Sequence, residues 1–410
     1  MAEHDDEFQV IIVGGGLVGA SLAVALGQSG VRVALVEAAG FSVDQQPNYD
    51  ERSIALAAGS QQIFSGLGLW DRLAPEVCPI LTIHVSDRGR FGFTRLRHSE
   101  EGVPALGYVA PARVLGAALI ERLASLASVR IIAGAALVDF ASSPDRIDVT
   151  LDGDAGAIRL HAPLLVAADG AQSAVRARLG VDTRTRDYHQ TAIIANLSTE
   201  RPHRNIAYER FTDSGPMALL PMTGDRCALV WTVPTAAADA AMALDDAAFL
   251  QAVQARFGYR LGAFTRTGSR HAYPLQLVQA AQSVRPRLAL IGNAVHTLHP
   301  VAGQGFNLGL RDVAALAEVV VDALAAGEDP GAAVVLRRYA DWRARDQRRV
   351  VTFTDGLVRL FTQPFPPVGL LRDAGMLALD LVPPAKRWFG RLAMGRSGRL
   401  PRLARGLPLS

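Results

Sequence analysis

The run Phe8-Gln9-Val10-Ile11-Ile12-Val13-Gly14-Gly15-Gly16-Leu17-Val18-Gly19 decides the fold. Phe8 to Val13 is a short, continuous apolar stretch ending in glycines, as a buried parallel strand does. Leu17 to Gln28 carries helical periodicity closed by Gly30, and Val31 to Val36 is a second apolar run. Strand, helix and strand on tight connections imply a right-handed crossover and a doubly wound α/β sheet. The first turn reads G-x-G-x-x-G. Gly14 permits the tight turn, Gly16 lets a pyrophosphate approach the backbone, and Gly19 lets helix and strand pack closely. The helix opening at Leu17 and Val18 adds N–H groups and a positive dipole for phosphates. Glu37 ends the second strand, 18 residues past Gly19. A carboxylate there accepts ribose hydroxyls and disfavours a 2′-phosphate, so FAD or NAD is expected rather than NADP.

Further along, Val114 to Leu126 reads as an amphipathic helix, and Val129–Ile132, Ile147–Leu151 and Leu164–Ala167 as strands. Between about 185 and 285 the texture changes. Alternating segments (Ile206–Phe211, Met217–Met222, Cys227–Val233) are separated by polar turns such as Asp213-Ser214-Gly215, which predicts antiparallel sheet. Leu288–Ile291 returns to the buried-strand pattern, and helices follow from about 305 to 360. The expected organisation is a discontinuous Rossmann-type domain from residues 1–75, 105–180 and 285–345. An antiparallel β-sheet substrate domain from 76–104 and 181–284 is inserted into it, and 346–410 form C-terminal helices with a basic tail.

Composition narrows the class. With 410 residues, half of them hydrophobic, the chain can bury a large core, so disorder is excluded as the main theme. Two cysteines, Cys78 and Cys227, make neither a disulfide scaffold nor a zinc knuckle and fit a reducing compartment. Met1 to Glu7 is acidic, unlike a secretory signal, and no uncharged apolar run reaches membrane-spanning length. A cytoplasmic location is expected. The net charge of +3 hides an asymmetry: residues 381–410 hold seven basic side chains and no acidic one, leaving 35 basic against 39 acidic in the rest. That argues against a nucleic-acid protein and for a local anionic partner at the C-terminus.

Two later turns complete the pattern. Leu164-Leu165-Val166-Ala167-Ala168-Asp169-Gly170 runs from a strand into an Asp-Gly turn, with Ser173 and Arg176 just beyond. Leu290-Ile291-Gly292-Asn293-Ala294-Val295-His296-Thr297-Leu298-His299-Pro300-Val301-Ala302-Gly303-Gln304-Gly305-Phe306-Asn307 leads from a strand through several glycines into a helix. Three such turns, in this order and spacing, resemble the group A flavoprotein aromatic monooxygenases over roughly residues 8–360. The third turn, with Asp50-Glu51-Arg52-Ser53-Ile54-Ala55-Leu56 and Gly215-Pro216-Met217-Ala218-Leu219-Leu220-Pro221-Met222, is most similar to the ubiquinone-biosynthesis hydroxylases, in their methoxyphenol-hydroxylase branch. Asn293 stands where the family usually has Asp; it still donates and accepts hydrogen bonds but carries no charge.

The resemblance implies an FAD enzyme that consumes NAD(P)H and O2 and hydroxylates a polyprenylated methoxyphenol through a C4a-hydroperoxyflavin. It implies FAD contacts at Gly14, Gly16, Leu17, Val18, Gly19 and Glu37, at Asp169 and Gly170, and at Gly292 and Asn293. Pro300, Gly303, Gln304, Gly305 and Phe306 would pass the flavin ring, Asn307 would touch it, and Arg52 and Arg113 would clamp pyrophosphate or ring. His299, Pro300 and Tyr208 are the candidates for catalytic contact, with His189 beside Tyr208 as a proton-transfer candidate. His296 and His299 lack further ligands nearby, so no metal is expected. The apolar segment Met217–Met222 bears no Arg to clamp a ring carboxylate. Trp388, Phe389, Leu392 and Met394 alternate with basic residues and suit an anionic membrane surface, where other ubiquinone-biosynthesis proteins would also be met. Competing readings are a sister hydroxylase acting at another ring position or on a soluble phenol, and a non-catalytic flavoprotein assembly factor. A flavin-dependent halogenase would need a W-x-W-x-I-P segment, and Trp70, Trp231, Trp342 and Trp388 are too scattered.

Overall fold

The computed structural model describes residues 8–44, 52–154, 156–362 and 366–409. The acidic Met1–Glu7 stretch and Asp50-Glu51 lie outside the described residues. Val10–Val13 is the parallel neighbour of Leu164–Ala167 on one side and of Val33–Glu37 on the other. Val129–Ala133 and Leu288–Leu290 extend this sheet outward in parallel, and the short antiparallel strand Val284–Arg285 edges it. The central strands are apolar on both faces because both are covered. Val10, Ile12, Leu35 and Val166 pack on helices Leu17–Gly27, Ala112–Ala124 and Gln304–Ala325. Ile11, Val13, Ala34 and Leu165 pack instead on an antiparallel three-stranded meander, Ala135–Ser142, Ile147–Gly153 and Gly156–Ala162. The sheet is thus layered between helices and a meander, where a doubly wound reading expects helices on both faces.

The second sheet has nine strands. The long strand Thr183–Thr199 is flanked by His271–Ala280 and Arg226–Pro234, followed outward by Gly215–Met222, Ile206–Thr212, Thr82–Asp87 and Phe93–Arg97. All pairings are antiparallel except Ile206–Thr212 with Thr82–Asp87. Alternation divides its faces. Ile193, Met217, Leu219 and Leu229 pack beneath helices Thr235–Met242 and Asp246–Phe257, while Ile194, Ala218, Leu220 and Val230 face a cavity. The C-terminal helices Ala333–Thr362, Pro366–Leu381 and Pro383–Ala393 complete the structure. Phe389, Leu392 and Met394 turn inward, Phe389 edge-on to Phe353, so only Trp388 of the expected apolar edge stands out. No described helix is long and apolar enough to cross a membrane.

Candidate active site

Parallel pairing brings all three glycine turns to the carboxyl edge of one sheet. Ala168 N–H donates to Val13 O and Ile291 N–H to Ala167 O, so the turns leave adjacent strands side by side. Contact is closer than any side chain allows. A Cβ on Gly14 (φ +104°) would lie 2.5 Å from Ala168 O, and one on Gly19 only 1.9 Å from Gly14 O. Val18 fills the gap to the third turn: a Cβ on Gly292 would meet it at 3.0 Å. Arg176 stitches the other two together, its guanidinium donating to Ala294 O (2.8 Å) and Ala171 O (2.6 Å).

The groups left over fit a dinucleotide. Gly16 caps the fingerprint helix with no side-chain hydrogen bond, which leaves first-turn N–H groups for a phosphate. Glu37 accepts from Gly15 N–H (2.6 Å) and Ala39 N–H (2.9 Å), and a carboxylate has lone pairs to spare for ribose hydroxyls. Asp169 holds Val175 N–H with Oδ2, while its buried Oδ1 has no partner, an orphan that a bound hydroxyl satisfies. Gly170 (φ +86°) forms the turn beside it. Arg52 and Arg113 are brought together by the bond from Ala112 N–H to Arg52 O, and the Arg52 guanidinium lies over the Tyr273 ring.

At the other end the Pro300–Phe306 segment borders a cavity of about 450 Å³. Its remaining walls are the open face of the nine-stranded sheet, residues 52–55, and Phe353, Leu357, Phe389 and Ala393 from the C-terminal helices. Ala302 (φ +59°) and Gly303 (φ +60°) form a left-handed pair that turns the chain into helix Gln304–Ala325. No side chain caps that helix, and its first-turn residues Gln304, Gly305 and Phe306, whose N–H groups an α-helix leaves without intrahelical partners, line the cavity. The Gly303 N–H is spent within the turn on Pro300 O. Asn293 is exposed and borders the cavity.

Four expectations are corrected. The Asn307 amide is fully committed, accepting from Ala57 N–H and Ser60 Oγ and donating to Ala55 O and Gly303 O, so it braces the turn rather than touching a ring. His299 points into the protein, 1% exposed, with Nδ1 accepting from Val301 N–H and its ring edge-on to Tyr188. Burial drops its pKa to about 4, so it is a neutral loop anchor. Tyr208 forms part of the cavity wall, but its ring packs edge-on to His84 and Phe257, toward the helix-covered face. His189, on a bulge of its strand, is exposed. Among the described residues no cluster could hold a metal.

Sequence reasoning missed the support beneath the third turn. Buried Asp312 accepts from His296 Nε2 (2.7 Å), Arg343 Nε (2.8 Å), Gln347 Nε2 (3.0 Å) and Gly292 N–H (3.3 Å), and Asp346 ties Arg343 to Arg311. The available signal was Arg311-Asp312 inside the apolar run Leu308–Ala317 of helix Gln304–Ala325. Glu209 in the cavity wall was missed as well.

A family model described as an FAD binding domain matches residues 7–354. The chain is 41% identical to the ubiquinone hydroxylase UbiL of Rhodospirillum rubrum over 99% of its length and 94% of that protein. It is 32% identical to the 3-demethoxyubiquinol 3-hydroxylase of Escherichia coli, covering 94% and 98% respectively. The crystal structure of p-nitrophenol 4-monooxygenase PnpA from Pseudomonas putida superposes with a TM-score of 0.80 over 96% of this chain and 99% of that one; at 19% identity it shares the fold. With three turns converging on one sheet edge beside an apolar cavity, this chain belongs to the FAD-dependent aromatic monooxygenases, in the family of the ubiquinone-biosynthesis hydroxylases, and uses FAD with NAD(P)H and O2 as co-substrates.

Proposed function

We propose that this chain hydroxylates the ring of a polyprenylated methoxyphenol in ubiquinone synthesis. The cavity wall carries the reading. It is hydrocarbon over most of its area, and among the described residues its one cation, Arg52, is held over Tyr273 rather than poised for a ring carboxylate. A neutral phenol with a long apolar tail suits such a wall, since each buried CH₂ contributes about 0.8 kcal/mol. When bound, FAD supplies what side chains lack, taking hydride from NAD(P)H and passing one atom of O2 to an electron-rich ring. The chain holds the ring against the Pro300–Phe306 segment, keeps water out with Ile194, Leu220 and Val230, and offers N–H groups at Gly305 and Phe306 to negative charge on the flavin rim.

The tail's route follows from helix Pro383–Ala393. Phe389 and Ala393 line the cavity while Trp388, 65% exposed, stands outward near exposed Leu381 and Val382 and the cations Arg387 and Arg391. That edge suits peripheral contact with the anionic cytoplasmic face of a membrane, where the lipid-soluble substrate and other ubiquinone-synthesis proteins reside. Purified FAD-loaded protein given a short-chain prenyl methoxyphenol should oxidise NAD(P)H faster and yield a product heavier by one oxygen atom. Oxygen at a different ring carbon assigns a sister hydroxylase, and turnover of tail-less phenols alone assigns a soluble substrate. No stimulation by any prenyl phenol overturns the reading.

A further inference from the structure

Glu209 lies in the middle of strand Ile206–Thr212, opposite Ala218 on one side and Val85 on the other. The two-residue alternation turns it to the cavity together with Ala207 and Phe211. Its surroundings there are hydrocarbon: Ile83, Val85, Ala218 and Leu220. Partly buried in this wall, its carboxyl group has no hydrogen bond or ion pair among the described residues. Burying such a group without a partner is costly, and a leucine at this position would pack better. Burial pushes its pKa up to about 7. Among the described residues only two other ionisable side chains border the cavity. They are Arg52, engaged with Tyr273, and Tyr208, whose ring packs on His84 and Phe257. On the strands flanking Glu209 the charge that shares this face is Asp87, level with Phe211 at the strand end, outside the cavity lining and paired with Arg90. The carboxyl group therefore ties no element of the fold to another, and it faces the cavity with its oxygens available to a ligand's donor.

We infer that Glu209 is the catalytic residue that receives the substrate's ring hydroxyl, accepting its hydrogen bond and then its proton as oxygen is transferred. The inference rests on the phenol reading above. The phenolic O–H bond breaks and an Oε–H bond forms, while the electron pair stays on the phenolic oxygen and flows into the ring. Electron density rises at the ortho and para carbons, where the new C–O bond forms as the O–O bond of the reduced dioxygen breaks, its other oxygen atom leaving as water. The attacked carbon then loses its hydrogen as a proton to water, aromaticity returns, and Glu209 gives its proton back to the phenolic oxygen. NAD(P)H and O2, already required by the activity, supply reductant and oxidant. The same carboxylate repels a substrate that carries a ring carboxylate, which selects decarboxylated phenols.

The test compares FAD-loaded wild type with Glu209→Gln on a short-chain prenyl methoxyphenol, with the O-methyl ether of that phenol as a probe lacking the donor. Wild-type kcat should climb as pH rises through about 7, where Glu209 loses its proton. The variant, loaded with FAD to the same extent, should lose that climb and fall about a hundredfold in kcat. Wild type should bind the phenol more tightly than the ether, by flavin absorbance titration, and the variant should discriminate less. A variant within about twofold of wild type with an unchanged pH profile overturns the inference. Should the variant not fold, equal wild-type affinity for phenol and ether overturns it as well. Failure of the phenol reading looks different: wild type itself then shows no stimulation by any prenyl phenol, and both proposals fall.

Discussion

Asp312 is fully buried and Glu209 partly buried in an apolar wall, and the two carboxyl groups set opposite pH dependences. For Asp312 burial alone would raise the pKa, but the paired His296 and Arg343 hold it well below the usual carboxylate range. The stability it contributes is present above the unfolded value near pH 4 and is lost as pH falls below that. Replacing one partner of such a network leaves the others uncompensated, so Asp312→Asn should lower stability by about 3–5 kcal/mol in chemical denaturation at neutral pH. FAD content should fall with it, because the same carboxylate holds the Gly292 N–H. An unchanged denaturation midpoint would show that the network contributes nothing. Glu209 runs the other way. Its folded pKa is raised, so its charge begins to cost stability as pH rises from about 4.5 toward 7, by on the order of 3 kcal/mol once ionised. Glu209→Gln should therefore melt higher than wild type near pH 8 and not near pH 5. Equal melting differences at both pH values would mean that the group is solvated.

The glycine turns separate what the fold needs from what the coenzyme needs. Gly19 has no room for a Cβ, so Gly19→Ala should both destabilise the protein and abolish FAD retention. Gly305 is the contrasting case: a Cβ there meets nothing within 4 Å. In a helix, Gly→Ala contributes about 0.5–1 kcal/mol of stability, so Gly305→Ala should melt no lower than wild type without coenzyme. It should still bind FAD more weakly if the flavin rim approaches that backbone, and calorimetry with FAD would show unchanged affinity if it does not. These positions were readable because their chemistry is local. A glycine turn after a four-residue apolar run dictates strand, bend and helix without reference to the rest of the chain. Readability ended where long-range pairing takes over. Whether Tyr208 or Glu209 faces the cavity depends on register between segments far apart in sequence, and a slip of one residue exchanges them. The same holds for His299, whose inward rotation is fixed by Tyr188 from a distant strand, and for the meander that replaces a second helical layer.

On the scale of the whole molecule the basic C-terminus is docked rather than loose. Leu403, Ala404 and Leu409 are buried, with Leu403 against helix Ala58–Gly66. Of its seven cations, Lys386 pairs with Glu100 and Asp380, Arg402 with Glu318 and Asp322, and Arg399 lies over Trp342. The other four, Arg387, Arg391, Arg396 and Arg405, line a single surface cleft together with Glu100 and Glu101. Folding thus consumes three charges and gathers four at the end of the molecule where Trp388 and Leu381 are exposed and helix Pro383–Ala393 closes the cavity. A lipid surface met there would receive cations and apolar side chains together and would stand next to the helix whose Phe389 and Ala393 line the cavity. FAD-loaded protein should therefore co-sediment with vesicles containing anionic phospholipid and release as salt shortens the range of the attraction. Each cation near such a surface contributes about 1 kcal/mol, so the double variant Arg387→Gln/Arg391→Gln should partition roughly thirtyfold less well. Its turnover of a short-chain substrate in detergent should match wild type, because neither arginine borders the cavity. Vesicle binding indifferent to both salt and these substitutions would place the membrane-facing surface elsewhere on the protein.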